Sequence, residues 1–184
     1  MHDHAATLQE RLAADLDGWF PELIRSRQDA LFGGALRMVG NRQDAEDITQ
    51  ETLVRAYRAL SGYPPERIAS LRLEGWLWTI AANLCRNRHR GRMRSPTESI
   101  GDRDLGSPEP GPERLALDVA GQELLAAHLA ALPWAMRSAV VLRHVVGLPY
   151  SEIAEALGRP VGTVKADVHR GLDRLRSGLV EEEI

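Results

Sequence analysis

The chain has 184 residues, of which 43% are hydrophobic, and a net charge of −3 at pH 7. A slightly negative chain carries no uniformly basic coat, so any contact with nucleic acid must be confined to part of the surface. The single cysteine excludes an intrachain disulfide and is typical of a reducing compartment, and no apolar run reaches the roughly 18 residues of a membrane span. We therefore expect a soluble, cytoplasmic protein with no membrane insertion.

The first forty residues predict two helices. Thr7 followed by Glu10 is the pattern of a capping box, which marks the start of a helix. Leucines at steps of four then predict a short amphipathic helix: Leu8, Leu12 and Leu16. This helix is expected to end near Gly18. A second helix is predicted from Trp19 to Val39, with Gly40 suited to ending it because glycine tolerates a left-handed backbone.

The most regular helical pattern follows Asn41, whose side chain can cap the first turn. Apolar and small residues recur on one face and predict its buried stripe: Ala45, Ile48, Thr49, Leu53, Ala56, Tyr57 and Leu60. The opposite face presents two acids, one amide and one aliphatic residue: Asp47, Gln50, Glu51 and Val54. Such a face is either solvated or suited to contact with a basic partner.

Residues 61–74 predict a loop in which Tyr63 precedes two prolines, and residues 74–94 predict a helix. In this helix Trp76 begins an apolar repeat, and we expect Cys85 to be a small buried hydrophobe, not a nucleophile. Five arginines without an intervening acid end the helix: Arg86, Arg88, Arg90, Arg92 and Arg94. Such a run attracts phosphate without reading sequence, and the aromatic residues before it favour a single strand.

The composition changes over residues 95–112, where prolines, glycines, serines and acids predict a flexible acidic linker. Beyond it, one helix is predicted from Glu113 to Leu132, where Pro133 breaks it. Another is predicted from Met136 to Val146. The linker therefore separates two helical parts of the chain.

Residues 148–176 predict a helix-turn-helix. Gly158 ends its first helix and Pro160 can open the second. The second helix has an apolar stripe: Val161, Val164, Val168, Leu172 and Leu175. Its other face is polar: Thr163, Lys165, Asp167, His169, Arg170 and Arg174. In this motif the second helix enters the major groove of DNA, although an ordinary helical hairpin with a solvated basic face has the same spacing.

Three segments resemble the extracytoplasmic-function (ECF) group of bacterial RNA polymerase sigma factors. NRQDAEDITQETLVRAYRAL is similar to region 2.2, EGWLWTIAANLCRNRHRGRMR to region 2.4 with its basic extension, and GLPYSEIAEALGRPVGTVKADVHRGLDRLR to region 4.2. The preceding ALPWAMRSAVVLRHVV resembles region 4.1. The resemblance covers about residues 20–178, and both sigma domains occur in the family's order.

The resemblance implies the partners and the site residues. Core RNA polymerase is the first partner, through its β′ clamp helices and β flap, and the residues assigned to polymerase binding are Asp47, Gln50, Glu51 and Val54. Promoter DNA is the second, and the DNA-binding residues are Tyr63, Trp76, Asn83, Arg86, Arg88, Arg90, Thr163, Lys165, Ala166, Asp167, His169 and Arg170. In the family, the loop 61–74 holds a base flipped from the −10 element, and an anti-sigma protein is a further candidate partner.

The recognition helix departs from the family pattern, because Ala166 and Asp167 stand where serine and arginine are common. The Asp167 carboxylate would be repelled by phosphates. It can pair with Arg170 or Arg174, of which only the first adjoins it on a helix, or it can accept a hydrogen bond from cytosine N4. We favour the ion pair, because such pairs are common on exposed helices.

The expected fold class is all-α, with two small helical domains joined by a flexible linker. Residues 1–94 form the region 2 domain with an N-terminal leader, residues 95–112 the linker, and residues 113–184 the region 4 domain. No phosphate loop, zinc spacing or nucleophile elbow occurs in the sequence, so we expect no enzyme, no catalytic residue, no metal and no cofactor. The alternative is a stand-alone helix-turn-helix regulator whose N-terminal half serves dimerisation or sensing.

Overall fold

The computed structural model describes residues 6–94, 121 and 124–181, and the regular structure of these residues is entirely helical. The first group of helices is α1 (Leu8–Ala14), α2 (Leu16–Val39), α3 (Arg42–Ser61), α4 (Pro65–Ala69) and α5 (Leu73–Arg94). The second group is α6 (124–131), α7 (Trp134–Val140), α8 (Tyr150–Leu157) and α9 (Val161–Glu181). The predicted linker 95–112 and the start of the helix predicted from Glu113 lie outside the described residues.

The helix ends follow the sequence signals. Thr7 and Glu10 form the predicted capping box at α1, and the Asn41 side chain accepts a hydrogen bond of 2.9 Å from the Asp44 N–H at α3. Gly40 ends α2 with φ 70°, and Gly158 ends α8 with φ 63°. These left-handed backbones favour glycine, which has no Cβ to clash.

Several boundaries differ from the predictions. α1 ends at Ala14, not near Gly18, because Asp15 already adopts an extended backbone. α2 begins at Leu16, before the expected Trp19, because the Asp15 carboxylate accepts a hydrogen bond of 3.0 Å from the Gly18 N–H and caps the helix there. The predicted loop 61–74 contains α4. α7 ends at Val140 and continues as a π-helical turn, Val141–Val145, before Gly147 adopts φ 87°.

The apolar core consists of two clusters, and the larger one spans both expected domains. Trp78 and Cys85 of α5 are fully buried in it, together with Leu142, Ile153 of α8 and Val164 of α9. The smaller one, here called the N-terminal cluster, joins α1 to α5: Leu12, Phe20, Leu23, Ala56, Leu60, Ile68, Leu73 and Leu77. The two halves of the chain are therefore packed against each other within the described residues.

A close approach of α2 to α5 explains one glycine in a helix interior. A Cβ at Gly34 would lie 2.3 Å from the Trp78 ring, so only glycine allows this packing.

Polar contacts join the same two halves, and we call them the seam. Arg86 of α5 donates a hydrogen bond of 2.8 Å to the carbonyl oxygen of Leu157 at the end of α8. Arg72, just before α5, pairs with Glu155 of α8. The rings of His89 and Trp134 stack with centroids 4.8 Å apart.

The most buried polar contact of the seam involves Arg137 of α7, which is 9% exposed. Its guanidinium donates hydrogen bonds of 3.0 Å to the carbonyl oxygens of Met38 in α2 and of Leu132, and a third to the carbonyl of Ala130. Burial lowers the pKa of Arg137. Carbonyl groups near the ends of α2 and α6 thus take the place of water around the buried Arg137 guanidinium.

Candidate functional surfaces

The acidic face of α3 is exposed as the sequence predicted. The stripe facing the core is buried, except that Tyr57 is 38% exposed. Its hydroxyl donates a hydrogen bond of 2.7 Å to Asp17, and this bond raises the pKa of Tyr57. The opposite stripe comprises Asp47, Gln50, Glu51 and Val54, with Val54 43% exposed. An apolar side chain among acids and an amide is suited to a protein contact.

A cleft of about 1120 Å³ separates this face from the end of α5. Arg88 of α5 reaches across it, forming an ion pair of 2.7 Å with Asp44 and a longer one of 3.5 Å with Asp47. Arg92 also pairs with Asp44, which is 7% exposed. The buried carboxylate of Asp44 therefore holds two arginines of α5 against α3.

The sequence predicted that all five arginines at the end of α5 attract phosphate. In the structure, only some of these side chains are free to do so. Arg86 is bonded to the end of α8, Arg88 to α3, and Arg92 donates a hydrogen bond of 3.1 Å to the carbonyl of Val39. Arg90 and Arg94 are exposed. The run is therefore partly structural in this conformation, because these guanidinium groups tie α5 to its neighbours.

An aromatic and basic surface forms around α4. Tyr63 and Trp76 lie with ring centroids 6.2 Å apart, and both are partly exposed. The guanidinium of Arg67 lies 3.7 Å from the centre of the Tyr63 ring. Arg67 was not among the predicted DNA-binding residues, although its position four residues after an aromatic residue was a signal. Such a group is suited to stacking an unpaired base. Asn83 is exposed further along α5.

The second helix of the helix-turn-helix, α9, presents most of its predicted DNA-binding residues to solvent. The exposed ones are Lys165, Ala166, His169 and Arg170, and Thr163 is half-buried. The Lys165 amine lies 5.6 Å from the centre of the Tyr150 ring. α9 packs against α7 and α8, so its polar face remains accessible.

Asp167 is the exception on α9, because it is only 3% exposed. Its carboxylate pairs with Arg170 at 2.8 Å and also with Arg159, in the turn before α9. The predicted pair with Arg170 is confirmed. Arg159 was not anticipated, since its proximity depends on the geometry of the turn. The carboxylate thus lies beneath the exposed face and orients the Arg170 guanidinium.

Cys85 is the one thiol of the chain. Cys85 is fully buried, and burial raises the pKa of its thiol to about 12, which confirms the structural interpretation of this residue. Among the described residues, no three His, Cys, Asp or Glu side chains cluster so as to hold a metal ion. No helix in the same part of the chain is long and apolar enough to cross a membrane.

Two family models match this chain, one in each half. The model described as sigma-70 region 2 matches residues 23–95, which include α3 and α5. The model described as sigma-70, region 4 matches residues 122–175, which include the helix-turn-helix. The order of the matches is that predicted from the sequence segments.

Curated relatives carry corresponding names. The chain is 38% identical over 170 residues to the ECF RNA polymerase sigma factor SigE of Mycolicibacterium smegmatis, with 91% of this chain but only 64% of that protein covered. It is 36% identical to the RNA polymerase sigma-E factor of Streptomyces avermitilis, with 90% and 87% covered. The chain therefore spans less than two thirds of the first relative and most of the second.

Two solved structures resemble the fold closely. The structure of CnrH in complex with the cytosolic domain of CnrY has a TM-score of 0.68 at 24% identity, covering 96% of this chain and 97% of that one. The sigma factor RpoE of Bartonella quintana, solved with the anti-sigma factor NepR, has a TM-score of 0.67 at 27% identity, covering 87% and 96%.

Proposed function

Because the chain belongs to the extracytoplasmic-function sigma factors, we propose that it binds core RNA polymerase and directs transcription initiation at specific promoters. In this proposal, residues 1–94 dock on polymerase and melt −10 DNA, and residues 113–184 read −35 DNA. The single observation that carries the proposal is the presence of both matched sigma regions in one chain. A stand-alone helix-turn-helix regulator would not need the exposed acidic face of α3.

Docking is assigned to the exposed face of α3. Asp47, Gln50 and Glu51 offer carboxylate and amide oxygens, and Val54 adds an apolar contact that is 43% exposed. Acids on one helix complement a basic helical partner such as the β′ clamp helices, and like charges there are strongly unfavourable. The ion pair of 2.7 Å between Glu51 and Arg55 is exposed and contributes little, so it can exchange for a pair with the partner.

Promoter melting is assigned to the surface around α4 and α5. Tyr63 and Trp76 can stack a base that leaves the duplex, and Arg67 lies close enough to contact its phosphate or its ring. Asn83 and Arg90 are exposed on α5 toward the same strand in this proposal. Stacking of the flipped base offsets the free energy lost on unpairing it.

Reading of the −35 element is assigned to α9. Lys165 and Arg170 are exposed cations that can bind phosphate or a guanine edge. Ala166 and His169 are exposed beside them, and Thr163 is half-buried. Asp167 is assigned a positioning role, because its buried carboxylate holds Arg170 at 2.8 Å.

Simultaneous reading of both elements requires the two halves to separate. The −35 and −10 elements lie about 25 base pairs apart, or roughly 85 Å at the rise of B-DNA. A compact chain of this length has a radius of gyration of only about 16 Å. Polymerase binding would therefore open the seam, and a protein that stabilises the seam would act as an inhibitor. The two similar structures are complexes with an anti-sigma factor or with CnrY, so an anti-sigma protein is the proposed inhibitory partner.

The proposal is tested by run-off transcription from genomic fragments with core polymerase, with and without this protein. Replacing Asp47 and Glu51 by lysine should abolish transcripts and core binding, because like charges would then face the partner. The matched control replaces Glu22 and Asp29 by lysine, which makes the same charge change on the exposed surface of α2 and should leave both measurements unchanged. Specific DNA binding without any effect on transcription by core polymerase would favour the stand-alone regulator.

A further inference from the structure

The first helix lies outside the matched region 2 segment, which starts at residue 23, yet it is a fixed part of the fold. Leu12 of α1 is only 1% exposed and belongs to the N-terminal cluster with Ile68 of α4, which is 4% exposed. Leu8, Ala13 and Leu71 pack against the same cluster. α1 therefore covers α4 and the chain that follows it.

A polar contact ties the two segments as well. The Gln9 side chain donates a hydrogen bond of 3.4 Å to the carbonyl oxygen of Leu71, between α4 and α5. The capping box of Thr7 and Glu10 fixes the first turn of α1, and the guanidinium of Arg11 lies 4.8 Å from the Trp19 ring. α1 is thus anchored both to α2 and to the segment that it covers.

The segment around α4 has few means of holding its own shape. α4 has only five residues, its N-terminal cap Pro64 makes no side-chain hydrogen bond, and Ile68 is its single buried residue. Helices this short are unstable in isolation and depend on tertiary packing. Leu12, the buried residue of α1, belongs to the same cluster as Ile68, and α1 is packed against α4. We therefore expect the conformation of α4 to depend on α1.

We propose that α1 is a positioning element for single-stranded promoter DNA. It holds α4 in place, and thereby holds Arg67 over Tyr63 and Tyr63 beside Trp76, the surface to which we assign the unpaired base. This inference rests on the proposed function. It assigns to the leader a task separate from polymerase docking, because the docking face of α3 is formed by residues that α1 does not cover.

The test uses the full chain bound to core polymerase and a fluorescent single-stranded oligonucleotide carrying the −10 sequence of a promoter found by run-off transcription. Leu12→Ala leaves a cavity between α1 and α4, so oligonucleotide affinity should fall about tenfold. Affinity for core polymerase and for duplex −35 DNA should stay within twofold. Leu12→Met, which nearly conserves volume, should restore oligonucleotide binding.

The matched control is Leu129→Ala, which truncates a leucine of α6 that is 3% exposed and belongs to the larger core cluster, not to the N-terminal cluster that contains Leu12 and Ile68. It should lower overall stability and leave oligonucleotide binding unchanged. Equal oligonucleotide affinity for Leu12→Ala and the parent would overturn the positioning role. Failure of the parent holoenzyme to bind the oligonucleotide would instead contradict the proposed function.

Should Leu12→Ala prevent folding, Gln9→Ala provides the decisive variant, since it removes only the bond to Leu71 from a partly exposed side chain. Oligonucleotide affinity should then fall about threefold with core binding unchanged. Unchanged oligonucleotide affinity of the Gln9→Ala variant would also overturn the inference.

Discussion

The helices α5 and α9 are the two longest elements assigned to DNA, and they hold their charges in different ways. α5 has 22 residues and α9 has 21, and both carry basic side chains along one face. In α5 the guanidinium groups of Arg86, Arg88 and Arg92 are bonded to neighbouring helices. In α9 Lys165 and Arg170 remain exposed. The same residue types thus serve packing in one helix and remain accessible in the other.

The position of each helix in the fold accounts for the difference. α5 is packed on α3 on one side and on α8 on another. α9 is packed on α7 and α8 and approaches His128 of α6 at Gly178, which leaves Lys165 and Arg170 exposed. A guanidinium near the buried ends of other helices gains hydrogen bonds to carbonyls that would otherwise lack a partner. The charge of Arg86 on α5 therefore becomes available to DNA only when the seam opens, whereas Lys165 and Arg170 on α9 are already exposed.

The largest effect on stability is expected from removing Arg137 of α7, whose hydrogen bonds belong to the seam. Arg137→Ala leaves the carbonyls of Met38 and Leu132 without this donor. Buried unsatisfied carbonyls cost about 1–3 kcal/mol each, so the free energy of unfolding should fall by about 3 kcal/mol. Urea unfolding followed by circular dichroism measures it.

The control for this prediction is Arg176→Ala on α9. Arg176 is 71% exposed and pairs with Asp173 at 3.1 Å, so its loss should change the free energy of unfolding by less than about 1 kcal/mol. Equal effects of the two substitutions would mean that the buried arginine contributes no more than a surface one.

The second prediction concerns the buried carboxylate beneath the exposed face of α9. Asp167→Asn removes the charge that binds Arg159 and Arg170, so we expect the free energy of unfolding to fall by about 2 kcal/mol, as for hydrogen bonds to charged groups. The base preference at −35 should not change at any single position, because the carboxylate is buried. Affinities for duplexes with single −35 substitutions measure this preference.

Direct readout would give a different pattern for Asp167→Asn. If the carboxylate accepted a hydrogen bond from cytosine N4, preference at one base pair would relax by about 1–3 kcal/mol. A relaxed preference at one position would therefore contradict the positioning role and show that Asp167 contacts a base directly.

The third prediction compares the arginines of α5 with the cations of α9 through the salt dependence of DNA binding. For the free protein on duplex DNA, replacing Lys165 and Arg170 by alanine should reduce the slope of log affinity against log salt by about 2, since each phosphate contact contributes about 0.9. Replacing Arg86 and Arg88 should leave the slope nearly unchanged, because both are bonded within the protein.

The same pair of variants should behave differently in the polymerase complex. There the seam is open in our proposal, which releases Arg86 from Leu157 but leaves Arg88 paired with Asp44 in its own half. Replacing Arg86 and Arg88 should therefore also reduce the slope, by about 1. An unchanged slope in both settings would show that these two arginines serve packing alone.

The sequence was sufficient for the parts of the structure that depend on neighbours along the chain. The capping box at Thr7, the cap at Asn41 and the glycine ends at Gly40 and Gly158 were all predicted, since each depends on residues within one turn. The exposed face of α3 followed from helical periodicity for the same reason.

The parts that were missed depend on contacts between distant residues. The pairs Arg86–Leu157 and Arg137–Met38 join positions 71 and 99 residues apart, and no local pattern indicates them. Asp167 was expected on an exposed face because periodicity cannot show that Arg159 covers its carboxylate. Charge in a sequence predicts a basic surface only where no carbonyl or carboxylate of the fold binds it first.

The smallest expected effect compares a histidine in the seam with one on α9. Burial, and then the charges of Arg137 and Arg92, lower the pKa of His89, which stacks on Trp134. His169 is 77% exposed on α9 and lies 3.4 Å from Asp173. The two histidines therefore differ in position, since His89 lies inside the seam and His169 outside it.

The sign of the pH dependence follows from the lowered pKa. Below the ordinary value of 6.5 the unfolded chain protonates His89 more readily than the folded protein, so the free energy of unfolding should fall as the pH drops from 7.5 to 5.5. His89→Phe keeps a ring on Trp134 but cannot titrate, so its stability should fall less over this range. His169→Gln should leave the dependence close to that of the parent. If the free energy of unfolding depended on pH in the same way for the parent and for His89→Phe, protonation of His89 would not be linked to folding.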